Sequence, residues 1–139
     1  MRNRVTNFRF WVLNIYGPTQ HNLSDDFIQE ISFFCLNISL PVVMGGDLNL
    51  IRNNKERNHG LGDQRLMNLF NSFIGQFQLR KKFCSGTRFT WSNKQQYPTL
   101  IKLDMILVST NWEMFYPTCF AWAKSRIGSD HSPLFLNTR

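Results

Sequence analysis

Pro41-Val42-Val43-Met44-Gly45-Gly46-Asp47-Leu48-Asn49 is the stretch that decides the fold. A short apolar run closed by paired glycines has the pattern of a strand buried on both faces, as in the sheet of an α/β protein. The glycines end the run and hand Asp47 and Asn49 to the loop that follows. Two residues apart on an extended segment, those side chains share a side and could face one group with no special backbone conformation.

Upstream, the aromatic and branched stretch from Phe8 to Tyr16 stops at Gly17-Pro18 and reads as a strand and turn. A helix follows, with Asn22 or Ser24 as its cap, Asp25 and Asp26 at its positive end, and Phe27, Ile28, Ile31, Phe34 and Cys35 at helical spacing. Downstream, Arg52 to Gly62 is polar and reads as an exposed loop. Asp63 can cap a second amphipathic helix whose stripe is Leu66, Leu69, Phe70, Phe73, Ile74 and Phe77. Arg88 to Ser92 alternates, with Phe89 and Trp91 on one face, and pairs as a hairpin with a strand over Ile101 to Val108. Ser109 or Thr110 caps a short helix ended by Pro117, and Cys119 to Ala123 and Pro133 to Leu136 read as final strands. The order makes a mixed α/β (α+β) fold without choosing a topology. It leaves polar groups at strand ends: Tyr16, Asp47 with Asn49, Asp104, and Asp130 with His131.

The chain has 139 residues, the size of one domain, so residues 1–139 are read as a single unit. A hydrophobic content of 42% argues against disorder. A net charge of +7 suits a polyanionic partner, although the basic residues are scattered: Arg52, Lys55 and Arg57 form one loose group, and Arg80, Lys81 and Lys82 another. Cys35, Cys84 and Cys119 are odd in number and far apart, which fits neither a disulfide framework nor a zinc site. With no membrane-length apolar run and no secretory core near Met1, the expectation is an intracellular protein, nuclear or cytoplasmic, away from membranes.

Gly45-Gly46-Asp47-Leu48-Asn49 and Ser129-Asp130-His131-Ser132-Pro133 resemble signatures of the endonuclease/exonuclease/phosphatase superfamily. Around them lie Asn14-Ile15-Tyr16-Gly17-Pro18, Phe89-Thr90-Trp91-Ser92-Asn93 and Leu103-Asp104-Met105-Ile106-Leu107-Val108-Ser109, in the order seen in the plant non-LTR retrotransposon branch. The resemblance implies a four-layer β-sandwich with helices outside and hydrolysis of a phosphate ester with Mg2+ or Mn2+, on DNA as the partner. By that resemblance Asp47 orients and deprotonates the water, Asn49 and Tyr16 contact the phosphate, and His131, fixed by Asp104, stabilises the developing charge. Asp130 and Asp47 hold the cation, while Trp91, Asn93, Arg52 and Lys102 are candidate nucleic-acid contacts.

Each residue also has a structural alternative. A Gly-Gly-Asp-X-Asn segment taken alone is more often only a turn. Asp104 reads equally as a buried acid satisfied by Lys102 or backbone, Asp130-His131 as an exposed loop pair, and Tyr16 as a strand-end core residue. A non-catalytic nucleic-acid-binding remnant and a small-molecule phosphatase of the same superfamily are the alternative functions. The family domain opens with strands carrying an Asn and a metal-binding Glu upstream of the segment that matches Tyr16, and Met1 to Asn7 is too short to supply them. Arg80-Lys81 stands where the family has Ile-Asp, and Met105 where it has Arg. The expectation is therefore the second half of such a domain, a partial sandwich weak or inactive by itself, with an apolar inner face that a partner or upstream segment would complete.

Overall fold

The structure is a computed structural model that describes residues 1–138. Its centre is a four-stranded sheet in the order β1-β2-β7-β3, formed by β1 (Trp11–Tyr16), β2 (Val42–Asp47), β3 (Leu79–Lys81) and β7 (Asp104–Ser109). β1 and β2 run parallel and are joined through α1 (Ser24–Leu36), while β7 is antiparallel to β2 and β3. One face packs on α1 and α2 (Gln64–Gln76), where Ile28, Ile31, Leu66, Phe70 and Phe73 meet Ile15, Val42, Met44 and Leu107. Asp63 caps α2 as its sequence predicts, its carboxylate accepting the Leu66 amide at 3.1 Å.

The other face of this sheet packs on a second one, β4 (Cys84–Ser85), β8 (Phe120–Ala123) and β9 (Leu134–Asn137), with Val43, Ile106 and Val108 against Cys84 and Ala121. α3 (Thr110–Phe115) closes one end of this core with Trp112, which is fully buried. The layers are thus helix, sheet and sheet. Phe120, Trp122 and Phe135 stack along the outer side of the second sheet, and the Lys124 ammonium lies 4.7 Å from the Phe135 ring centre. Between the sheets runs a groove of about 1330 Å³, lined by Val12, Val43, Ile106, Leu134 and Leu136 among others. β1 is an edge strand, and Val12 is 52% exposed there.

Several expectations change. The residue before α1 is Leu23, with no side-chain cap, because a 3-10 turn over His21–Leu23 leads into the helix. Arg52 to Gly62 is not wholly exposed, since Glu56 is buried and ion-paired with Lys81. The expected hairpin shrinks to β5 (Trp91–Ser92) with β6 (Leu100–Ile101). β7 is a separate strand that pairs with β2 and β3, because its residues Met105 to Val108 are buried on both faces and need the central position. Within β5 and the residue before it, Thr90 and Ser92 are the buried side chains, and Trp91 alternates outward.

Candidate active site

Three strand ends lie side by side, since the register sets Tyr16 opposite Asp47 and Asp47 opposite Asp104. The Asp130-His131 loop comes beside them through a bridge between His131 and Trp91. His131 then stands between two carboxylates: its Nδ1 is 2.7 Å from Asp104 Oδ2 and its Nε2 is 3.4 Å from Asp47 Oδ2. The remaining Asp47 oxygen, Oδ1, accepts the Asn49 amide at 3.0 Å. Asn49 in turn donates its side-chain amide to the Gly17 carbonyl at 2.7 Å, which ties this loop to the end of β1.

Asn49 does not continue the extended chain, contrary to the expectation of an ordinary backbone. It has φ +52°, in the left-handed region that Asn tolerates better than most residues, because the chain must turn back at Leu48 to place its amide on Asp47. The bend is supported where the Gly17 amide meets the Asp47 carbonyl at 2.7 Å and the Leu48 amide meets the Leu103 carbonyl at 3.0 Å.

Burial pushes the Asp47 carboxyl pKa up, and the charge of Asp104 adds to the rise, against the opposing Asn49 amide and His131. For His131, burial works against the charged ring, but the hydrogen bond and charge of Asp104, with Asp47 and Asp130, outweigh it and hold its pKa above the ordinary value. Asp47 is thus a stronger base than a solvated carboxylate. His131 is a stronger candidate cation, with its tautomer set by Asp104. As assigned from hydrogen-bonding distances, Nδ1 carries the proton toward Asp104 and Nε2 faces Asp47.

An open groove of about 480 Å³ fronts Asp47 and His131, with Tyr16, Asn49, Arg57, Trp91 and Asp130 also in its walls, while Asp104 lines the groove between the sheets. Tyr16 is 75% exposed, so its hydroxyl is accessible there and it is not a core residue. Asp130 stands at the rim, where its carboxylate accepts the Trp91 indole N–H at 3.2 Å. Its pKa is lowered, first by its own backbone amide and then by that indole. Among the described residues, the groups placed closely enough to share one cation are Asp47, Asp104 and His131, whose ligand atoms all lie within 4.8 Å of one another. Two carboxylates with a nearby phosphate suit a hard cation such as Mg2+, which keeps several oxygen ligands from water and substrate.

The other candidates lie elsewhere. Asn93 closes its own turn by accepting the Gln95 and Thr99 amides, Arg52 donates to Asn71 at 2.8 Å, and Lys102 is half-buried away from the groove. Burial first, then the charge of Lys81, lowers the Lys102 pKa. The Arg80, Lys81 and Lys82 group is tied down at Glu113, Glu56 and Glu113, respectively, rather than free for phosphates. Among the described lysines and arginines, Arg57 is the one that lines the groove. Sequence placed it only in a loose basic group, since nothing local distinguishes it from Arg52 or Lys55.

The mixed α/β architecture, with two facing sheets and outer helices, has the fold of the endonuclease/exonuclease/phosphatase class. Among solved structures, it is similar to a 3'-5' exonuclease from Neisseria meningitidis, with a TM-score of 0.70 and 14% identity over 91% of this chain and 60% of that one. It also matches the endonuclease domain of TRAS1, a telomere-specific non-LTR retrotransposon, with a TM-score of 0.68 and 12% identity over 98% of this chain and 59% of that one. A third is D. rerio TDP2 complexed with a single-strand DNA product, with a TM-score of 0.59 and 15% identity over 94% and 56%, respectively. The chain therefore spans less than two thirds of each of these structures. Neither a protein-family model nor a curated protein matches it.

Proposed function

We propose that this site performs divalent-cation-dependent phosphodiester hydrolysis of the DNA-nicking kind used by retroelements, at a low rate in this chain by itself. The observation that carries the proposal is the convergence of Asp47, Asp104 and His131 behind an accessible Tyr16. A phosphodiester in the groove would meet the Tyr16 hydroxyl and the Arg57 guanidinium, both of which line it. Asp47 is placed beside the groove to take the proton from an attacking water, and His131, 3.4 Å from it, to donate to an oxygen as charge develops. Asp104 orients the ring. A cation held by Asp47 and Asp104, with Asp130 at the rim, would neutralise charge on the phosphate oxygens.

The TRAS1 likeness and the five ordered motifs favour the retroelement branch, and the motifs point to its plant members. The fold of a TDP2 bound to a DNA product, together with the net charge of +7, favours DNA as the partner. The long groove on the inner face, the open β1 edge and the greater length of the matched structures support a further polypeptide segment that completes the sandwich.

The test is nicking of supercoiled plasmid by the folded chain, with and without Mg2+, beside Asp47→Ala and His131→Ala. Slow magnesium-dependent nicking that both substitutions reduce by about 100-fold or more is expected from loss of a positioned acid or base. A folded chain that nicks no faster than its variants would leave a non-catalytic nucleic-acid-binding role.

A further inference from the structure

Thr90 lies where the segments that carry the site meet, and it is only 1% exposed. Its hydroxyl Oγ1 accepts two backbone amides, that of Leu103 at 3.1 Å and that of Asp104 at 2.9 Å. Its carbonyl accepts the Ser132 amide at 2.7 Å, and its own amide donates to the Ile101 carbonyl at 3.0 Å. Asp104 and the residue after His131 are therefore fastened to opposite ends of one buried threonine. Leu103, the next residue along, passes the constraint on, since its carbonyl accepts the Leu48 amide from the Asp47 loop.

We infer that Thr90 is a positioning residue whose buried hydroxyl sets the Asp104 to His131 hydrogen bond by holding the Leu103 and Asp104 amides. A hydroxyl oxygen has two lone pairs, so it can hold both N–H groups at once. Valine has nearly the same shape but no acceptor, and would leave two buried amides unsatisfied. The chain would relieve this by shifting at the point where β6 gives way to β7. A hydrogen bond of 2.7 Å weakens steeply once its partners move apart or out of line. Trp91 and Ser92 hold the Asp130-His131 loop and Asn93 closes a turn, whereas Thr90 is the member of the Thr90-Trp91-Ser92-Asn93 phrase whose side chain bonds to the Asp104 backbone.

The inference rests on reading Asp47, Asp104 and His131 as the site, and its test reads geometry rather than turnover, so the two can fail separately. Proton NMR of the metal-free full chain should show a low-field His131 Nδ1 resonance, assigned by its disappearance in Asp104→Asn. In Thr90→Val that resonance is expected to be lost or exchange-broadened while the amide signals of β2 and α2 stay in place. In Thr90→Ser, which keeps the hydroxyl and removes only the methyl, it is expected to persist. An unchanged resonance in Thr90→Val would overturn the inference, as would its loss in Thr90→Ser. Where Thr90→Val does not fold, Thr90→Ala, which also removes the acceptor, takes its place: loss of the resonance supports the hydroxyl's role and an unchanged resonance refutes it.

Discussion

Gly45 and Gly46 are adjacent and identical in sequence, yet replacing each with alanine should have very different consequences. At Gly46 the backbone has φ +136°, and a Cβ would lie 2.1 Å from the Ile15 carbonyl oxygen and 3.2 Å from the Asn14 side-chain oxygen. The oxygen belongs to the backbone of β1, paired with β2 over six residues, so it can yield only if the strands part. At Gly45 the nearest atoms are 3.4 Å away and φ is ordinary. Strain at Gly46 costs about 1–3 kcal/mol and overpacking a similar amount, so Gly46→Ala should destabilise by roughly 4 kcal/mol. Gly45→Ala should stay within about 1 kcal/mol of the parent, since restricting the unfolded chain offsets its modest crowding. A domain of this length has on the order of 7–20 kcal/mol of stability, so the first change is large but need not unfold the chain. Urea unfolding followed by circular dichroism reads the difference: with an m-value of about 2 kcal/mol/M, the Gly46→Ala midpoint should fall by about 2 M. Equal midpoints for the two variants would refute the argument that β1 closes over Gly46.

Two further outcomes follow from the same geometry. Asp47 and His131 both have folded pKa values above their ordinary 3.8 and 6.5, so each stabilises the fold at low pH and loses that contribution as pH rises through its folded value. In EDTA the melting temperature should therefore decline as pH rises from 5 to 8, through the window of His131. Asp104→Asn, which removes a charge that raises both groups, should flatten the slope; a melting temperature that climbs over this window would contradict the assignment. The groove between the two sheets should bind a hydrophobic dye, and Val12→Glu should cut the fluorescence without lowering the urea midpoint, because Val12 is 52% exposed in its lining. Undiminished fluorescence in that variant would place the apolar surface elsewhere.

Much of the site was legible because it sits at strand ends. The apolar run before Gly45, the Asp63 cap and the stripe of α2 follow local rules, and the strands then place Tyr16, Asp47 and Asp104 in one row. The features that sequence missed are set by distant partners. β3 is Leu79–Lys81, whose charged residues resemble the polar end of a helix and become a strand only because β7 offers its edge and Glu56 accepts Lys81. The left-handed Asn49 is likewise fixed by Gly17, thirty-two residues upstream, and by Asp47, rather than by the loop's own composition. The burial of Thr90 beneath Asp104 and Ser132 depends on three separate segments that no window of sequence contains.

The central claim is that Asp47 and Asp104 hold a divalent cation beside His131, and manganese titration of the isotopically labelled full chain tests it most directly. Paramagnetic broadening should begin at resonances of Asp47, Asn49, Asp104 and His131, and Asp47→Ala should abolish that early broadening. Broadening that begins instead around Asp25, Asp26 or Asp63, or that is unchanged in Asp47→Ala, would contradict the account.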